Sequence, residues 1–549
     1  MADSKPVAAS LAVKPAEKLP DVDHVDIVKT GSGDDEVPPV ISAFAELTRN
    51  QAMWKFKRLY LNGLLVCVAA LYAGYANSVV GSIVANQGFI NYFGSTRDPA
   101  TGKLALNPQY VSLWGAIYSI AQILIQVMAP WASDRFGRKL CMWLISLFIV
   151  ISIIIQVVST QWYHILIARF IAGFAGGMMG TAVMVYMSEI SLPQFRGALL
   201  GAFSLGFALG QVFLAVAFKI LADYNPMAFR NAFYSEFVFT GLWLLVMLWL
   251  PESPAWYASK GREEEGKKAL RRLVGVIDSY DIDHEFAVIR YDFEQSQAKR
   301  KATQSDWGAI FKNKINLQRA FVSAIPFTLQ NIVGVPLMFG YTTYFFQLAG
   351  VADPFLGNMV KQLVLVVGII VSFYTVDIVG RRPLVLYGTL AMAVLTFLVG
   401  CLSFVTMTAA SGAALVALCC LWAFVYANTL APIGWLSLVE ISSPSVRAKT
   451  TSIAVTIQYL TGILFNYTVP LMLSNQYAGW GTKIGFFFAG ISGLMLIPIF
   501  FFYPETKGRT YAEIDELYQR GIPAWRFNAT KTHAQEEIEA LRGVGTLAQ

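Results

Sequence analysis

Charged residues are scarce in this chain. Of its 549 residues, 14% are charged and 56% are hydrophobic, and the mean hydropathy is +0.52. A soluble protein of this length has a much more polar composition. The composition therefore excludes a water-soluble globular protein and indicates that lipid surrounds most of the folded chain.

Residues that hold metals, disulfides or phosphates are also few. The chain has five cysteines, all in or beside apolar segments, and four histidines that lack the spacing of metal ligands. Free cysteine in such a setting behaves as a small apolar residue, so neither a disulfide framework nor a metal site is expected. No glycine-rich phosphate loop of the Walker type occurs, which argues against ATP as the energy source. We expect no cofactor and no enzyme activity.

Long apolar runs dominate the sequence instead. A helix needs about 20 residues to cross a bilayer, and a helix satisfies its own backbone amides in hydrocarbon. Suitable runs lie near 59–82, 111–131, 140–158, 165–188, 198–222, 232–250, 319–347, 358–379, 384–407, 412–438, 451–473 and 482–503. The sequence thus predicts an all-α membrane protein of twelve transmembrane helices in two pseudo-symmetric six-helix bundles. The predicted tail, first bundle, helical linker, second bundle and second tail are 1–54, 55–250, 251–318, 319–503 and 504–549.

Basic residues are unevenly distributed among the connecting segments. Lys55, Lys57 and Arg58 precede the first run, and residues 260–319 are crowded with Lys and Arg. The opposite side carries few, chiefly Arg97, Lys103, Lys219, Arg230 and Lys361. Because cytoplasmic loops are enriched in Lys and Arg, both termini are predicted to be cytosolic. The N-terminal tail lacks the apolar core of a signal peptide and is expected to be disordered. The net charge of +7 needs no nucleic-acid partner.

Three motifs occur twice in the chain. The repeated pairs are 189–196 with 440–447, 134–139 with 377–382, and 251–253 with 504–506. In the first pair, Glu-Ile-Ser, a Pro and an Arg recur with identical internal spacing. Internal duplication in an apolar chain is typical of transporters built from two repeats.

The duplicated charges lie at the cytosolic ends of the predicted helices. Basic residues alone would anchor loops at the membrane surface, but that interpretation leaves the repeated Asp and Gly unexplained. A Gly allows a tight turn, and an Asp ending one helix can bind an Arg of the next by charged hydrogen bonds. We favour a cytosolic gate of inter-helix ion pairs that form in one state and break in another. Its predicted members are Asp134, Arg138, Glu189 and Arg196, then Asp377, Arg381, Glu440 and Arg447.

Arg169 lies part of the way into the fourth apolar run. A charge in that setting usually serves a function because it is costly. The alternative is that the side chain extends to the lipid headgroups. The sequence favours neither interpretation over the other.

Amide side chains inside the runs are the candidates for substrate binding. Amides both donate and accept hydrogen bonds, and aromatic rings cover the apolar face of a sugar. The candidates are Gln211, Gln330, Asn331, Gln458 and Asn466, with Tyr341, Tyr344 and Trp435 nearby. Gly334 and Pro336 are expected to interrupt the helix that carries Gln330, as is usual beside a transporter site.

The combined motifs resemble the sugar porter branch of the major facilitator superfamily over residues 55–527. Within that branch the chain is most similar to fungal α-glucoside (maltose-type) and related disaccharide permeases. The resemblance implies a central sugar site and alternating access. It also implies sugar contacts for Gln211, Gln330, Asn331, Trp435 and Gln458. The eight duplicated charges match the family's cytosolic network, and Arg169 matches an Arg that pairs with a first-helix Asp in proton-coupled members.

One position departs from that pattern. Proton-coupled members read Gly-Tyr-Asp where this chain reads Gly74-Tyr75-Ala76, so the expected carboxylate is missing. Glu236 is expected near the outer end of its helix, too far out to relay a proton with Arg169. The sequence predicts a monomeric plasma-membrane transporter of a neutral α-glucoside, disaccharide or hexose, with facilitated diffusion weighed against proton symport. A sugar sensor and an exporter of a small metabolite on the same fold are the alternatives.

Overall fold

The protein is seen in a computed structural model that describes residues 42–44, 46–99, 102–277, 280–302, 311, 313–442, 446–533 and 535–536. These residues are almost entirely helical and belong to one compact unit. The described strands are β1 (Thr96–Arg97) and β2 (Leu104–Ala105), which pair as an antiparallel hairpin.

The described residues of the first half form nine α-helices. They are α1 (Arg49–Lys55), α2 (Lys57–Ile83), α3 (Gln87–Phe93), α4 (Pro108–Phe136), α5 (Arg138–Val157), α6 (Trp162–Met178), α7 (Met184–Ile190), α8 (Pro193–Tyr224) and α9 (Arg230–Trp249). A π-helical segment, Met179–Val183, joins α6 to α7, so these two helices form one continuous span.

The linker and the second half contain the remaining helices. The linker helices are α10 (Pro254–Ser259), α11 (Glu263–Val274) and α12 (Ile282–Ala302). The second half has α13 (Lys314–Ile332), α14 (Thr342–Leu348), α15 (Pro354–Val379), α16 (Arg381–Cys401), α17 (Ala409–Asn428), α18 (Leu430–Glu440), α19 (Arg447–Leu473), α20 (Ile484–Phe502) and α21 (Tyr511–Gln519). Short 3-10 segments occur at Leu402–Phe404, Gly481–Lys483 and Ala524–Ala529.

Each of the twelve predicted spans is helical, and the predicted twelve-helix fold is confirmed. Among the described residues, ten helices are long and apolar enough to cross a membrane. The other two spans are the seventh, which is interrupted between α13 and α14, and the eleventh, α19. Gln458, Thr461 and Asn466 make α19 less apolar than the others.

The interruption of the seventh span has a local cause. Gly334 adopts φ +104°, a conformation that favours glycine. Pro336 has no N–H to donate, and the chain continues as a π-helix over Pro336–Gly340. The interruption predicted from Gly334 and Pro336 is therefore confirmed. A second break, at Thr429 between α17 and α18, was not expected.

The two halves pack against each other through equivalent helices. The second span of each half packs along the fifth span of the other, as α4 with α19 and α15 with α8. Within the first half, α2 and α8 pack very closely because Gly74 and Gly210 leave room for the neighbouring backbone. The duplicated sequence therefore gives a duplicated packing arrangement around a central axis.

The two ends of the helix bundles differ. We call the end that carries α10–α12 the linker end, and the end that carries α3 and the β1–β2 hairpin the loop end. At the loop end, contacts between the halves include an ion pair between Lys219 and Asp353 at 2.7 Å. The rings of Phe218 and Phe355 stack there with centroids 6.1 Å apart. These contacts close the loop end.

The tails are more structured than the sequence predicted. Residues 1–41 lie outside the described part of the chain, but α1 lies within the tail expected to be disordered. Ser42 donates a hydrogen bond to Glu285 of α12 at 2.8 Å, and the ring of Phe44 stacks on Tyr280. These contacts fix the described end of the tail to the linker helices. The second tail folds back as well, since its helix α21 carries Asp515, which pairs with Arg319 of α13.

Candidate functional site

The first charge cluster holds the linker ends of three spans together. Arg138, the first residue of α5, donates from Nε and Nη2 to both carboxylate oxygens of Glu189 at 2.8–3.1 Å. It also pairs with Asp134 of α4 at 3.1 Å. Ser253 donates to the same Glu189 carboxylate at 2.5 Å. A bidentate Arg–carboxylate contact fixes geometry as well as adding energy.

The second cluster repeats these contacts in the other half. Arg381 donates to both carboxylate oxygens of Glu440 at 3.1 and 3.3 Å, and it lies 3.6 Å from Asp377. Thr506 donates to Glu440 at 2.6 Å, in the place that Ser253 takes in the first half. Six of the eight charges predicted from the duplicated motifs thus come together in two equivalent clusters.

A further carboxylate in each cluster binds main-chain amides. Glu252 accepts hydrogen bonds from the backbone N–H groups of Arg138 and Lys139, and Glu505 accepts them from Arg381 and Arg382, all at 2.9–3.1 Å. A carboxylate at a helix N-terminus is stabilised by the unpaired N–H groups there. Burial raises the pKa of the Glu252 carboxyl, while these N–H donors oppose that change.

The glycine before each of these helices is required by the geometry. Gly137 and Gly380 have φ values of +102° and +101°. A Cβ atom at Gly137 would overlap the Glu252 carboxylate, and one at Gly380 would lie 2.7 Å from that of Glu505. The repeated Gly is therefore explained by backbone conformation and by close approach of a carboxylate.

The two remaining arginines of the predicted gate lie outside the clusters in this structure. Glu189 binds Arg138 rather than Arg196, and Arg196 is exposed and donates to the Ser191 carbonyl at 3.3 Å. Arg447 stacks on the ring of Tyr511, 4.5 Å from its centroid, instead of binding Glu440. Arg196 lies in the first turn of α8, and Arg447 is the first residue of α19.

Gln330 and Asn331 are neighbours in α13 and make two separate sets of hydrogen bonds, which we call the amide group. Gln330 donates to the Leu430 carbonyl at 3.3 Å and accepts from the Tyr426 hydroxyl at 2.9 Å. Asn331 donates to the Gln458 carbonyl at 2.7 Å and to Thr461 at 3.0 Å. The group therefore joins α13, α17, α18 and α19 beside the interruption of the seventh span.

The other candidates have different surroundings. Asn466 donates to Ser119 of the first half at 3.3 Å, and its main-chain carbonyl accepts from Tyr341 at 3.1 Å. Gln211 is buried in α8, and its Oε1 atom has no hydrogen-bond partner among the described residues. Trp435 packs edge-on against Phe327 and keeps 56% of its surface exposed. Of these candidates, Asn466 is the one whose hydrogen bonds join the two halves.

Arg169 lies inside the first bundle and does not extend to the headgroups. It is 5% exposed, and it donates to the Ala76 carbonyl at 3.3 Å. Its guanidinium lies 4.3 Å from the centroid of the Tyr118 ring. Glu236 is also buried, at 2% exposure, and its Oε1 atom has no hydrogen-bond partner among the described residues. The expectation that Glu236 does not relay a proton with Arg169 stays a prediction.

Several residues of this region were missed by sequence reasoning. Tyr426 and Thr461 complete the hydrogen bonds of Gln330 and Asn331, and Ser119 binds Asn466. Hydroxyl side chains are common in membrane helices, so the sequence alone did not distinguish them. The carbonyl that Gln330 binds belongs to Leu430, the first residue of α18 after the break at Thr429.

Comparisons with known proteins agree with this arrangement. The family described as Sugar (and other) transporter matches residues 63–518. An MFS transporter of Aspergillus fumigatus is 27% identical over 546 residues, 95% of this chain and 99% of that protein. A low-affinity glucose transporter of Saccharomyces cerevisiae is 26% identical, over 86% of this chain and 84% of that protein. The inward open conformation of the xylose transporter from E. coli superimposes with a TM-score of 0.68 at 20% identity, covering 84% and 99% of the two chains.

The first prediction concerns Gly137. Gly137→Ala combines an unfavourable φ with overlap of the Glu252 carboxylate, and we expect it to lower stability by about 1–3 kcal/mol. Gly261→Ala is the matched control, because Gly261 has φ +67° but open space around it. Thermal unfolding of the purified variants measures the difference. Equal loss of stability in both variants would show that the close approach of the Glu252 carboxylate contributes nothing to the loss in the Gly137 variant.

The second prediction concerns the charge clusters. Arg138→Ala or Arg381→Ala removes hydrogen bonds to a carboxylate, each worth about 1.5–3 kcal/mol, while the amide group stays intact. We expect substrate uptake to slow by about tenfold or more with little change in equilibrium binding. Arg135→Ala is the control, since it removes an exposed positive charge from the last turn of α4. Parallel loss of binding and uptake would contradict a role in the conformational cycle.

The third prediction concerns the amide group. Gln330→Ala removes a partner of both Leu430 and Tyr426. We expect the apparent KM for sugar to rise by about five- to a hundred-fold, the equivalent of roughly 1–3 kcal/mol. Gln156→Ala, which removes a buried amide that binds Ser152 in α5, is the control. A normal KM in the Gln330 variant, at normal surface amount, would remove Gln330 from the site.

Proposed function

This chain belongs to the Sugar (and other) transporter family of the major facilitator superfamily, and from that membership we propose that it carries a neutral hexose across the plasma membrane by alternating access. The chain is a multi-pass membrane transporter. Its substrate, direction, coupling and orientation are the subject of the proposal.

The observation that supports a neutral sugar is the amide group around Gln330 and Asn331. Its hydrogen-bonding members are amides, hydroxyls and backbone carbonyls. These groups both donate and accept, as a polyhydroxylated ligand requires. An anionic or cationic substrate would call for buried charges of the opposite sign within that group.

We propose a hexose as the substrate ahead of a disaccharide. One of the relatives above is named as a glucose transporter, and others are named as hexose transporters. None of these names mentions an α-glucoside, although sequence motifs resemble maltose-type permeases. Glucose is therefore the first substrate to test, and maltose is the second.

Alternating access is supported by the position of the contacts. The halves meet at the loop end through Lys219 and Asp353, whereas the ion pairs of the two charge clusters each join helices of a single half. We place the linker end and both termini in the cytosol, because that end is basic. In the cycle, the clusters keep the linker ends of each bundle together while the bundles rock. One chain supplies both bundles, so a monomer is the transporting unit.

Facilitated diffusion is the proposed energetic mode. Ala76 cannot carry a proton. Its main-chain carbonyl, and not a carboxylate, accepts a hydrogen bond from Arg169. A proton symporter is the second candidate, and Glu236 favours it. That carboxylate is buried, and its Oε1 atom has no hydrogen-bond partner among the described residues.

The fourth prediction tests the substrate and the energetic mode together. Radiolabelled glucose, maltose and sucrose are supplied to a transporter-deficient yeast that expresses the chain, with and without a protonophore. We expect saturable glucose uptake that the protonophore does not change and that never exceeds the external concentration. Accumulation that collapses with the protonophore would reject facilitated diffusion, and lack of saturable uptake of all three sugars would reject the sugar assignment.

The variants Glu236→Gln and Ala76→Asp extend that measurement. Under facilitated diffusion, Glu236→Gln leaves the steady-state sugar level unchanged, since no proton is carried. Under symport, it abolishes accumulation while counterflow of sugar continues. Ala76→Asp supplies a carboxylate beside Arg169, and gained accumulation in this variant would identify position 76 as the control of coupling.

A further inference from the structure

Lys361 was counted with the connecting segments, but it lies in a helix. It lies in the second turn of α15, inside the eighth span, and its side chain is fully buried with 0% exposure. A charged side chain inside the membrane is costly and is a candidate for function. No ion pair of Lys361 occurs within the part of the chain that the structure describes.

Three neutral groups take the place of an acidic partner. The Lys361 ammonium group donates to the Met338 carbonyl, and it donates to the Thr342 hydroxyl at 2.7 Å. It also lies 4.9 Å from the centroid of the Phe339 ring. An ammonium group has three donors, and an aromatic face attracts a cation. All three donors are therefore directed at residues 338–342.

These residues are the interruption of the seventh span. Met338 and Phe339 belong to the π-helical segment Pro336–Gly340, and Tyr341 has the non-helical values φ −133° and ψ 20°. Non-helical backbone at membrane depth requires protein groups to satisfy it. Lys361 supplies a donor to the Met338 carbonyl at this point, together with the Thr342 hydroxyl.

The same segment is where the second half touches the first. A Cβ atom at Gly81 of α2 would overlap the Gly340 carbonyl, so the two backbones are in direct contact. The Tyr341 hydroxyl occupies the space beside Gly115 of α4. These contacts lie between the amide group and the loop end. The conformation of residues 336–341 therefore determines whether the halves close there.

The segment is also connected to the amide group. The Phe339 ring lies 5.3 Å from that of Tyr426 and 6.0 Å from that of Trp422, measured between centroids. Tyr426 donates the hydrogen bond to Gln330. Lys361 thus binds a segment that touches Gly81 at one point and packs beside the partners of Gln330 at another.

We propose that Lys361 is a positioning residue for transport, which holds residues 336–341 in the conformation that closes the loop end against α2. This proposal rests on the proposed function, because the closed state is one of the two states of alternating access. Lys361 does not contact substrate in this state, since its side chain is fully enclosed. Its loss shifts the equilibrium toward the state that is open at the loop end.

The test measures opening at a site apart from Lys361. Phe218 is 1% exposed because it stacks on Phe355 of the other half, so a cysteine introduced as Phe218→Cys reports separation of the halves. The purified protein in nanodiscs is treated with a charged maleimide, beside the parent that has only its five native cysteines. We expect Lys361→Met to raise the rate of labelling at position 218 by about tenfold or more, as loss of hydrogen bonds from a charged group implies.

Matched variants separate closure from general destabilisation. Lys483→Met removes an exposed cation of the loop end, and we expect it to label like the parent. Lys361→Arg keeps the donors, and we expect it to restore slow labelling at least in part. An unchanged labelling rate in a well-folded Lys361→Met variant overturns the proposal.

If Lys361→Met does not fold, Thr342→Val tests the proposal in its place. It removes the hydroxyl that binds both Lys361 and Met338 while leaving the lysine in place, and we expect faster labelling at position 218. Slow labelling in this variant overturns the proposal. The readout uses no sugar, so failure of every sugar in the uptake experiment would leave this result interpretable.

Discussion

Hydrocarbon offers no hydrogen bonds, and this constraint explains most of the structure. Every backbone amide inside the bilayer needs a partner within the protein, which is why the twelve spans are helices. Where a helix is interrupted, side chains must complete the hydrogen bonds. Lys361 and Thr342 do so at the interrupted seventh span, where both donate to the Met338 carbonyl. Polar side chains inside the bilayer therefore stabilise a break in a helix.

The duplication of the chain appears in the geometry as well as in the sequence. Arg138, Glu189 and Ser253 make the same contacts as Arg381, Glu440 and Thr506. Each cluster binds the ends of three spans of one half, so each bundle is a unit at the linker end. The bundles then touch through α4 with α19 and α8 with α15. Rigid units with a limited set of contacts between them are suited to hinge and rocking motions.

Sequence reasoning predicted the twelve spans and the interrupted seventh helix. Those predictions rest on local signals, namely apolar length, Gly334 and Pro336, which need no knowledge of neighbours. It did not identify contacts to distant parts of the chain. Glu189 binds Arg138, which is 51 residues away. Lys361 was counted with the connecting segments although it lies inside the predicted span 358–379, and the groups that satisfy it lie in another helix.

Glu252 and Glu505 bind the main chain of the residues that follow Gly137 and Gly380, not their side chains. The amide N–H is common to every amino acid except proline. These carboxylate contacts therefore do not depend on the side chain at position 139 or 382, and the chain has Lys at one and Arg at the other. Among the amino acids, only proline at these positions would remove an N–H that the carboxylate binds.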